Sequence, residues 1–488
     1  MVSSLSVIGL GKLGAPMAAC FAARGFAVHA VDINPQKVDA IGRGVPPVHE
    51  PGLEELLRES RGRISASRDI EGAVRASDAT FVVVATPSEP DGGFSLRYAL
   101  PSCEAIGRAL ATKKTFHLVV MTSTVMPGST GGAIKAALER ASGKQCEVDF
   151  GLCYSPEFIA LGTVIRDFYN PDFLLIGESD PRSGEILSDI YKRNCKNSPA
   201  IARMNWINAE ITKLAVNTYI TTKISYANML ARLCEKLPEA DVNAVTNALG
   251  LDTRIGAKYL KGAVSYGGPC FPRDNRALAA LAARVGASSG LAEATDIFNR
   301  AQIKSLAELV RSHYSGDGAI GILGLTYKPD TDVVEESFGL LLAQELSAAN
   351  LPVIVYDPSA DAVRVSSGCK NVRIAPSAQE CIAESGVVVL ATPWKEFREL
   401  PASAWVGPAQ AAPRTVIDCW RDLSHLENNE ALRYVKLGFG LPRAESKGAL
   451  TERPATVSST AEWPLLSPLR TGASINVVPG NSKVLRDQ

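Results

Sequence analysis

The sequence predicts an α/β protein with two doubly wound Rossmann-like domains joined by a helical middle that contains one long central helix. Three observations support this fold class. Short β-rich runs alternate with helical stretches near both ends of the chain, the two ends repeat similar motifs in the same order, and the middle carries a long helical pattern. A chain of 488 residues has the length expected for roughly three domains.

The first predicted domain covers residues 1–200. Its strands follow the runs "SVIGLG", "AVHAVD", "ATFVVVATP" and "FHLVVMT". Near-continuous apolar runs of this kind are typical of parallel strands in a sheet that is covered on both faces. Helical pieces such as "GAPMAACFAARG" supply the right-handed crossovers between the strands.

A glycine-rich turn follows the first strand. "VIGLGKLG" places a G-x-G-x-x-G motif at Gly9, Gly11 and Gly14, and Asp32 follows 23 residues after Gly9 at the end of the next strand. This context favours a dinucleotide with its pyrophosphate at a helix N-terminus over a tight turn without a ligand. Asp32 would bond a ribose hydroxyl and repel a 2′-phosphate, so the predicted cofactor is NAD rather than NADP. The residues predicted to bind it are Gly9, Gly11, Lys12, Leu13, Gly14, Asp32, Thr86 and Thr124.

The helical middle is predicted over residues 201–300. From Met204 to Leu237 the chain contains neither proline nor glycine, and Pro238 follows directly. Apolar residues recur there at helical spacing, which predicts a helix of about 30 residues and about 45 Å. Such a helix is longer than one small domain can bury, so we expect this segment to mediate a homodimer or a higher homo-oligomer.

The second Rossmann-like domain is predicted over residues 315–440. "GILGLTYK", "IVYDPSA" and "VVVLATPWKE" repeat the order of "VIGLGKLG", "HAVDINP" and "VVVATPSEP". The glycine triad is lost in this copy, and Lys328 is predicted at the place of the third glycine, which indicates a different anionic ligand. The run "TDVVEES" is expected to open a helix. Residues 441–488 are rich in Ser, Thr, Pro and Gly without periodicity, which predicts a disordered tail.

Composition excludes several classes of partner. Lys plus Arg number 51 and Asp plus Glu number 51, so no overall basic field favours nucleic acid or an anionic membrane. The chain starts without a signal-peptide pattern and lacks a run of about 18 apolar residues, so no membrane span is expected. The ten cysteines form no CxxC pair and no Cys/His cluster at metal spacing. We therefore expect a cytoplasmic protein with reduced thiols and no bound metal.

One cysteine stands in an unusual setting. "VSYGGPCFPRD" crowds two glycines and a proline around Cys270, with Asp274 four residues later. Most free cysteines are small buried hydrophobes, but a cysteine at such a turn is also suited to be a nucleophile. Together with NAD, a thiolate can add to an aldehyde and form a thiohemiacetal. Loss of a second hydride gives a thioester that water converts to an acid.

Four fragments carry a family resemblance. "GGPCFPRD", "TSTVMPGS", "YSPEFIA" and "EITKLAVN" resemble the UDP-glucose/GDP-mannose dehydrogenase family, and the resemblance spans roughly residues 5 to 435 in the family's order. It implies oxidation of the C6 alcohol of a nucleotide sugar to a carboxylate with two NAD, and it implies that Cys270 is the nucleophile. The fragments "RIG..YL" and "CFPRD" resemble the UDP-glucose branch of this family, which makes UDP-glucose the first choice of substrate.

The resemblance also implies the other catalytic residues. Lys213 and Asn217 correspond to residues that stabilise the oxyanion, and their spacing of four places them on one helix face. Asp274 corresponds to a carboxylate that helps activate water, although it could also be the N-cap of the following helix. Glu157 and Thr124 correspond to residues that position water and serve in acid/base steps. The substrate-binding residues implied are Glu157, Phe158, Lys213, Asn217, Arg254, Tyr259, Lys261, Gly267 and Lys328.

Four positions depart from the family's usual pattern. Leu161 and Phe173 stand near the loop expected to hold the substrate, and Val333 and Glu335 stand in the nucleotide-sugar domain. These departures keep other substrates open, namely GDP-mannose or a UDP-N-acetyl hexosamine. Two further hypotheses are a single-step β-hydroxyacid dehydrogenase, because "GLGKLGAPMA" resembles the start of that family, and a non-enzymatic NAD-binding regulator.

Overall fold

The first sheet organises the N-terminal part of the molecule. The computed structural model describes residues 2–359, 371–406 and 413–440. The strands of this sheet are β1 (Ser4–Ile8), β2 (Ala27–Val31), β3 (Ile64–Ser67), β4 (Ala79–Val82), β5 (Leu118–Met121), β6 (Gly151–Tyr154), β7 (Phe173–Glu178) and β8 (Ala200–Met204). They lie in the order β3-β2-β1-β4-β5-β6-β7-β8, and neighbours are parallel except β6 and β7, which are antiparallel.

Helices pack on both faces of this sheet. Two consecutive residues of β1 lie in different cores. Val7 belongs to one core with Ala18 and Ile190, and Ile8 belongs to a second core with Ile106 and Leu138. The alternation of side chains along a strand requires this arrangement when both residues are apolar. The helices are α1 (Gly14–Ala23), α2 (Pro35–Arg43), α3 (Leu53–Glu59), α4 (Ile70–Ala76), α5 (Ala99–Thr112), a π-helical turn (Thr130–Ile134), α6 (Lys135–Ser142), α7 (Val164–Tyr169) and α8 (Pro181–Asn194).

The middle of the chain is helical, and its first helix is long. It consists of α9 (Trp206–Lys236), α10 (Val242–Gly250), α11 (Phe271–Val285) and α12 (Gly290–His313). The 31 residues of α9 begin after Asn205, whose side chain accepts a hydrogen bond from the Asn208 amide, and end before Pro238. Helix α9 packs against α11, α12 and the first sheet, so it connects the parts of the molecule.

The second sheet is entirely parallel. Its strands are β9 (Ala319–Leu323), β10 (Val353–Tyr356), β11 (Val372–Ile374), β12 (Ser385–Leu390), β13 (Arg414–Asp418) and β14 (Leu432–Lys436). They lie in the order β11-β10-β9-β12-β13-β14, which repeats the order of the first six strands of the chain. The described helices of this domain are α13 (Phe338–Ala348), α14 (Ala378–Ala383), α15 (Lys395–Glu399) and α16 (Ala402–Trp405), with a short 3-10 turn (Ser424–Leu426). The predicted fold class is therefore confirmed.

The two copies differ at their glycine turns. A Cβ on Gly14 would lie 1.8 Å from the Gly9 carbonyl oxygen, and a Cβ on Gly339 would lie 2.0 Å from the Gly324 carbonyl oxygen. Gly339 thus takes the place of the third glycine, and the prediction that Lys328 stands there is wrong. The equivalent glycines are separated by an insertion, residues 326–337, which we call the inserted loop.

The start of the helix after this loop also differs from the prediction. The run "TDVVEES" was expected to open a helix, but α13 begins at Phe338, and the Ser337 side chain caps it by accepting a hydrogen bond from the Leu340 amide. Glu336 has a left-handed backbone with φ of 51°, which a helix cannot contain. The loop therefore remains irregular up to the cap.

Two further predictions concern the C-terminal tail and membrane-spanning helices. The predicted disordered tail from residue 441 onward lies outside the described residues. In the part of the chain that the structure describes, no helix combines the length and apolar character that crossing a bilayer requires.

Candidate active site

The glycine turn after β1 has the shape of a dinucleotide cradle. Gly9 has φ of 101° and a Cβ there would lie 2.3 Å from the Val83 carbonyl oxygen, so a side chain is excluded. A Cβ on Gly11 would meet nothing within 4 Å, which leaves the N-terminus of α1 open to a ligand. The buried carboxylate of Asp32 accepts the Leu10 amide at 2.7 Å and so holds the turn against the end of β2. These residues fit the pyrophosphate and ribose of a dinucleotide.

Thr86 and Thr124 follow β4 and β5 at the same edge of the sheet. The Thr86 hydroxyl donates to the Thr124 carbonyl oxygen at 2.8 Å, and the Thr86 carbonyl oxygen accepts from the guanidinium of Arg273 at 3.3 Å. Arg273 also lies 3.4 Å from a carboxylate oxygen of Asp274. Sequence reasoning missed Arg273, which joins the cofactor side of the site to the turn that carries Cys270.

The two glycines before Cys270 allow close approach of the inserted loop. A Cβ on Gly267 would lie 2.3 Å from the Glu336 carbonyl oxygen, and a Cβ on Gly268, whose φ is +85°, would lie 2.8 Å from the ring of Tyr327. The Gly268 amide donates to the Glu335 carbonyl oxygen at 2.9 Å. The sharp turn is therefore where the second Rossmann-like domain packs against the segment that carries the cysteine.

Cys270 itself lies at the N-cap of α11 and is exposed, in contrast to the other described cysteines, which are buried. Although the residue is exposed, neighbouring protein atoms remove part of the water around its thiol, and this desolvation raises the pKa of Cys270. The negative charge of Asp274 raises it further, whereas Lys213 and Arg273 lower it. The exposed position fits a nucleophile better than a core residue.

Two asparagines hold the turn from neighbouring helices. Asn228 on α9 accepts from the Ala263 amide at 2.7 Å and donates to the Val264 carbonyl oxygen at 2.8 Å. Asn299 on α12 makes the same paired contact with the amide and carbonyl groups of Tyr266, both at 2.9 Å. The sequence did not identify them as functional. The one feature that could have done so is an asparagine within an apolar helical stretch, which indicates a side chain that bonds the backbone of another segment.

Lys213 and Asn217 lie on the buried face of α9, as their spacing predicts. The Asn217 amide donates to the fully buried carboxylate of Asp274 at 2.6 Å. Asp274 lies inside the first turn of α11, and its amide donates to the Cys270 carbonyl oxygen at 2.8 Å, so the suggested N-cap role is wrong. The structure thus brings three of the predicted catalytic residues to the cysteine turn.

Glu157 follows β6 and joins the same cluster. The ammonium of Lys213 donates to the Glu157 backbone carbonyl at 2.7 Å and lies 4.6 Å from the ring of Phe158. The Tyr191 hydroxyl donates to the Glu157 carboxylate at 3.4 Å. Burial raises the pKa of Glu157 to about 7, against the opposing effects of Lys213 and Tyr191. A carboxyl that titrates near neutral pH is suited to proton transfer.

The residue that anchors α9 was also missed. The buried carboxylate of Glu210 accepts the amides of Gly128 and Thr130 at 2.6 and 2.8 Å. It therefore fixes the rotation of α9 relative to the loop after β5. Lys213 lies less than one turn further along the helix, so its direction depends on this anchor.

The residues predicted to bind the nucleotide sugar are less closely grouped. Lys328 lies half-buried on the inserted loop, and burial lowers its pKa. Lys261 lies 3.8 Å from Asp422 and 5.7 Å from the ring of Trp420. Both lysines are therefore associated with the second Rossmann-like domain.

Tyr259 and Arg254 lie further out. Tyr259 has φ of 67° and meets the ring of Phe271 edge to face at 6.5 Å. Arg254 is exposed, and its guanidinium pairs with Asp252 at 2.6 Å. Among the described residues, its contacts do not include the catalytic cluster.

The four departures fall around this cluster. Phe173 stacks against Phe158 at 4.7 Å, so it supports the ring that lies beside Lys213. Leu161 lies on the loop after β6, and Val333 is buried in the inserted loop. Glu335 is exposed, and its charge contributes to the raised pKa of Cys270.

A dinucleotide cradle, together with an exposed cysteine that has a lysine, an asparagine and carboxylates around it, indicates a dinucleotide-dependent oxidoreductase. No group of three or more His, Cys, Asp and Glu side chains suited to a metal occurs within residues 2–359, 371–406 and 413–440.

Comparison with known proteins identifies the family. Residues 3–195 match the NAD binding domain of the UDP-glucose/GDP-mannose dehydrogenase family, residues 207–301 its central domain and residues 321–425 its UDP binding domain. The chain belongs to the UDP-glucose/GDP-mannose dehydrogenase family and is an NAD-dependent nucleotide-sugar 6-dehydrogenase. The predicted family and cofactor are confirmed.

Individual relatives include enzymes named for two substrates. The chain is 36% identical to the UDP-glucose 6-dehydrogenase AglM of Haloferax volcanii over 400 residues, covering 81% of this chain and 92% of that protein. It is 31% identical to a GDP-mannose 6-dehydrogenase of Pseudomonas putida over 442 residues, covering 85% of this chain and 100% of that protein. A solved UDP-glucose dehydrogenase of Pyrobaculum islandicum matches with a TM-score of 0.80 and 33% identity, covering 90% of this chain and 97% of that one.

Proposed function

We propose that this protein oxidises the C6 alcohol of UDP-glucose to a carboxylate in two steps, with a covalent intermediate on Cys270. The observation that carries the proposal is the exposed thiol of Cys270, held at the start of α11 beside Lys213, Asn217 and Asp274. NAD supplies the hydride acceptor for each of the two oxidations.

The first oxidation passes a hydride to NAD and yields an aldehyde, which the Cys270 sulfur attacks to form a thiohemiacetal. Because the pKa of Cys270 is raised, its proton must leave for this attack, and Glu157 is the proposed acceptor. The developing oxyanion needs donors, and Lys213 and Asn217 supply them. The Lys213 ammonium has three N–H groups, of which one donates to the Glu157 carbonyl oxygen. The Asn217 amide is oriented by its bond to Asp274. Donors that are fixed before the charge develops stabilise it without reorganisation.

The second oxidation converts the thiohemiacetal to a thioester, and water then releases the acid and restores the thiol. Glu157, with Thr124, is the proposed group for positioning water and moving its proton, because the pKa of Glu157 is raised to about 7. Asp274 assists in activating the water and keeps its own orientation through Asn217. Each proton taken from water therefore has an acceptor within the cluster.

The choice of UDP-glucose as the sugar nucleotide rests on the relatives and on the residues of the second Rossmann-like domain. Relatives named for UDP-glucose and for GDP-mannose are similar at comparable identity, and the UDP-glucose 6-dehydrogenase of Haloferax volcanii is the more similar of the two reported. Lys328, Lys261, Tyr259 and Arg254 are the proposed contacts with the nucleotide sugar. A screen of UDP-glucose, GDP-mannose and UDP-N-acetyl hexosamines for NADH release identifies the substrate.

Counting NADH against acid, together with Cys270→Ser, tests the reaction. We expect the wild type to form two NADH per acid, and a quenched reaction to show a sugar-nucleotide adduct on Cys270 by mass spectrometry. Cys270→Ser should bind NAD normally but form no acid, because a hydroxyl is a poor nucleophile at neutral pH. One NADH per substrate would indicate a single-step β-hydroxyacid dehydrogenase. NAD binding without turnover on any sugar nucleotide would indicate a regulator.

We also propose that the protein is a homodimer or a higher homo-oligomer assembled on α9. Tyr219, Tyr226 and Leu233 on this helix are 63%, 47% and 53% exposed, and Leu251 just after α10 is 84% exposed. The three residues on α9 recur every seven positions and so share one face of the helix, and large apolar side chains on one exposed face favour association. The division into domains 1–200, 201–300 and 315–440 remains part of the same proposal, with the middle domain as the dimerisation domain.

A further inference from the structure

A single ion pair joins the cofactor turn to the inserted loop. Lys12 lies between the second and third glycines of the turn, and its ammonium is 2.6 Å from the Asp332 carboxylate. The two residues are 320 positions apart, and their side chains are 40% and 27% exposed. This pair therefore crosses from the first Rossmann-like domain to the second at the place where the pyrophosphate of NAD is expected.

Lys12 is placed to contact two anionic groups, the Asp332 carboxylate and the pyrophosphate expected at the glycine turn. The turn between Gly9 and Gly14 offers a pyrophosphate the N-terminus of α1, and a Cβ on Gly11 would point into open space there. A lysine ammonium is a compact charge on a flexible stem with three donors. One ammonium can therefore bridge the phosphates and Asp332, so loss of the Asp332 carboxylate would untie the inserted loop from the bound cofactor.

The rest of the inserted loop is attached to the substrate side. The Gly268 amide donates to the Glu335 carbonyl oxygen at 2.9 Å, and Arg276 lies 3.1 Å from the Glu336 carboxylate. A Cβ on Gly162, in the loop after β6, would lie 2.3 Å from the Asp330 carbonyl oxygen, so these backbones are in close contact. The loop is thus held to the substrate side at several points, and the Lys12–Asp332 pair is its ion pair to the cofactor turn.

The proposed reaction requires the cofactor to be exchanged while the substrate stays bound, and the inserted loop contacts the two sides of the site unequally. Two NAD are consumed for each substrate, so NADH must leave and NAD must enter while the aldehyde-level intermediate remains at Cys270. We propose that the Lys12–Asp332 pair is a latch that opens for this cofactor exchange, while the contacts of residues 335 and 336 keep the intermediate covered. The proposal rests on the proposed two-step function, and it assigns Asp332 a role in cofactor exchange.

Dissociation of NADH from the full-length protein tests the latch without turnover. Stopped-flow fluorescence after mixing the NADH complex with excess NAD should show roughly two- to fivefold faster release in Asp332→Asn than in the wild type, the range expected for a partly exposed pair. The matched control is Asp330→Asn, two residues away on the same loop, which should leave the rate unchanged. In roughly 0.5 M salt, the NADH release rates of the wild type and of Asp332→Asn, both measured at that salt concentration, should become nearly equal, because salt screens exposed ion pairs.

Two variants separate the latch from general loosening of the loop. Lys12→Gln combined with Asp332→Asn should release NADH more slowly than the product of the two single effects, because both substitutions remove the same interaction. A double effect equal to that product would show that the two residues act independently. During turnover, a soluble aldehyde trap should capture no more intermediate from Asp332→Asn than from the wild type, whereas Arg276→Gln should release more.

NADH release from Asp332→Asn that is equal to or slower than that from the wild type at low salt would overturn the latch, as would an equal effect of Asp330→Asn. Increased trapping from Asp332→Asn would overturn the division between cofactor and substrate sides. Because NADH release is measured without substrate, a failure of the proposed function would appear only in turnover and in the trapping experiment.

Discussion

The raised pKa of Glu157 predicts a stability change that depends on pH. Folding raises the pKa of this carboxyl from about 4.5 to about 7, mainly through burial. The folded state therefore binds the proton more tightly, and stability from this group is present below pH 4.5 and is lost as the pH rises to 7. A difference of about 2.5 pKa units corresponds to about 3 kcal/mol above pH 7. Glu157→Gln removes the ionisation, so its relative stability should rise over the same interval.

Urea unfolding at two pH values measures this effect. Between about pH 5 and about pH 8.5 we expect Glu157→Gln to gain about 2 kcal/mol relative to the wild type, and offsets that do not depend on pH cancel in this difference. Glu54→Gln, on the exposed surface of α3, is the matched control for loss of a carboxylate. A relative gain below about 0.5 kcal/mol would show that Glu157 is not desolvated in the folded protein. In a plot of turnover rate against pH, Glu157→Gln should lack the inflection near pH 7, because that inflection reports ionisation of the Glu157 carboxyl.

Further predictions concern backbone, cofactor and assembly. Gly268→Ala should lower the free energy of unfolding in urea by about 2–4 kcal/mol and reduce turnover, because it combines a left-handed backbone with a clash against Tyr327. Gly42→Ala, whose Cβ would meet nothing within 4 Å, should not destabilise the protein. The wild type should use NAD far better than NADP, and Asp32→Ala should narrow that ratio; equal efficiency in the wild type would refute the role of Asp32. Light scattering should give at least twice the chain mass of 51.8 kDa, and Leu233→Glu should reduce it; a monomeric wild type would contradict the proposed assembly.

The parts of the fold that the sequence predicted are those set by local patterns. Continuous apolar runs identified four strands of the first sheet, and the absence of breakers identified α9 almost to its ends. The spacing of Lys213 and Asn217 placed both on one buried face, as a helical period requires. Antiparallel pairing of β7 with β6 was not predicted, because strand direction depends on how the chain returns to the sheet rather than on local composition.

The parts that the sequence missed depend on contacts between distant segments. The third glycine of the second copy is Gly339, and the inserted loop hid it because a glycine motif is recognised by close spacing. Arg273, Asn228 and Asn299 act by holding backbone groups of other segments, which leaves no periodic signal. Cys270 was singled out from its unusual neighbours, but the reason for its two glycines became evident only with Glu336 and Tyr327 packed against them.

The single long helix α9 makes the site sensitive to changes in chain length. Asn217 and Asn228 are 11 residues apart on it, which is about three turns, so both face the same side. One residue inserted between them would rotate everything beyond the insertion by about 100° and carry Asn228 away from the cysteine turn. Substitutions on the exposed side of α9 leave this alignment unchanged, so the helix can vary its surface while its residue count between these two side chains stays constant.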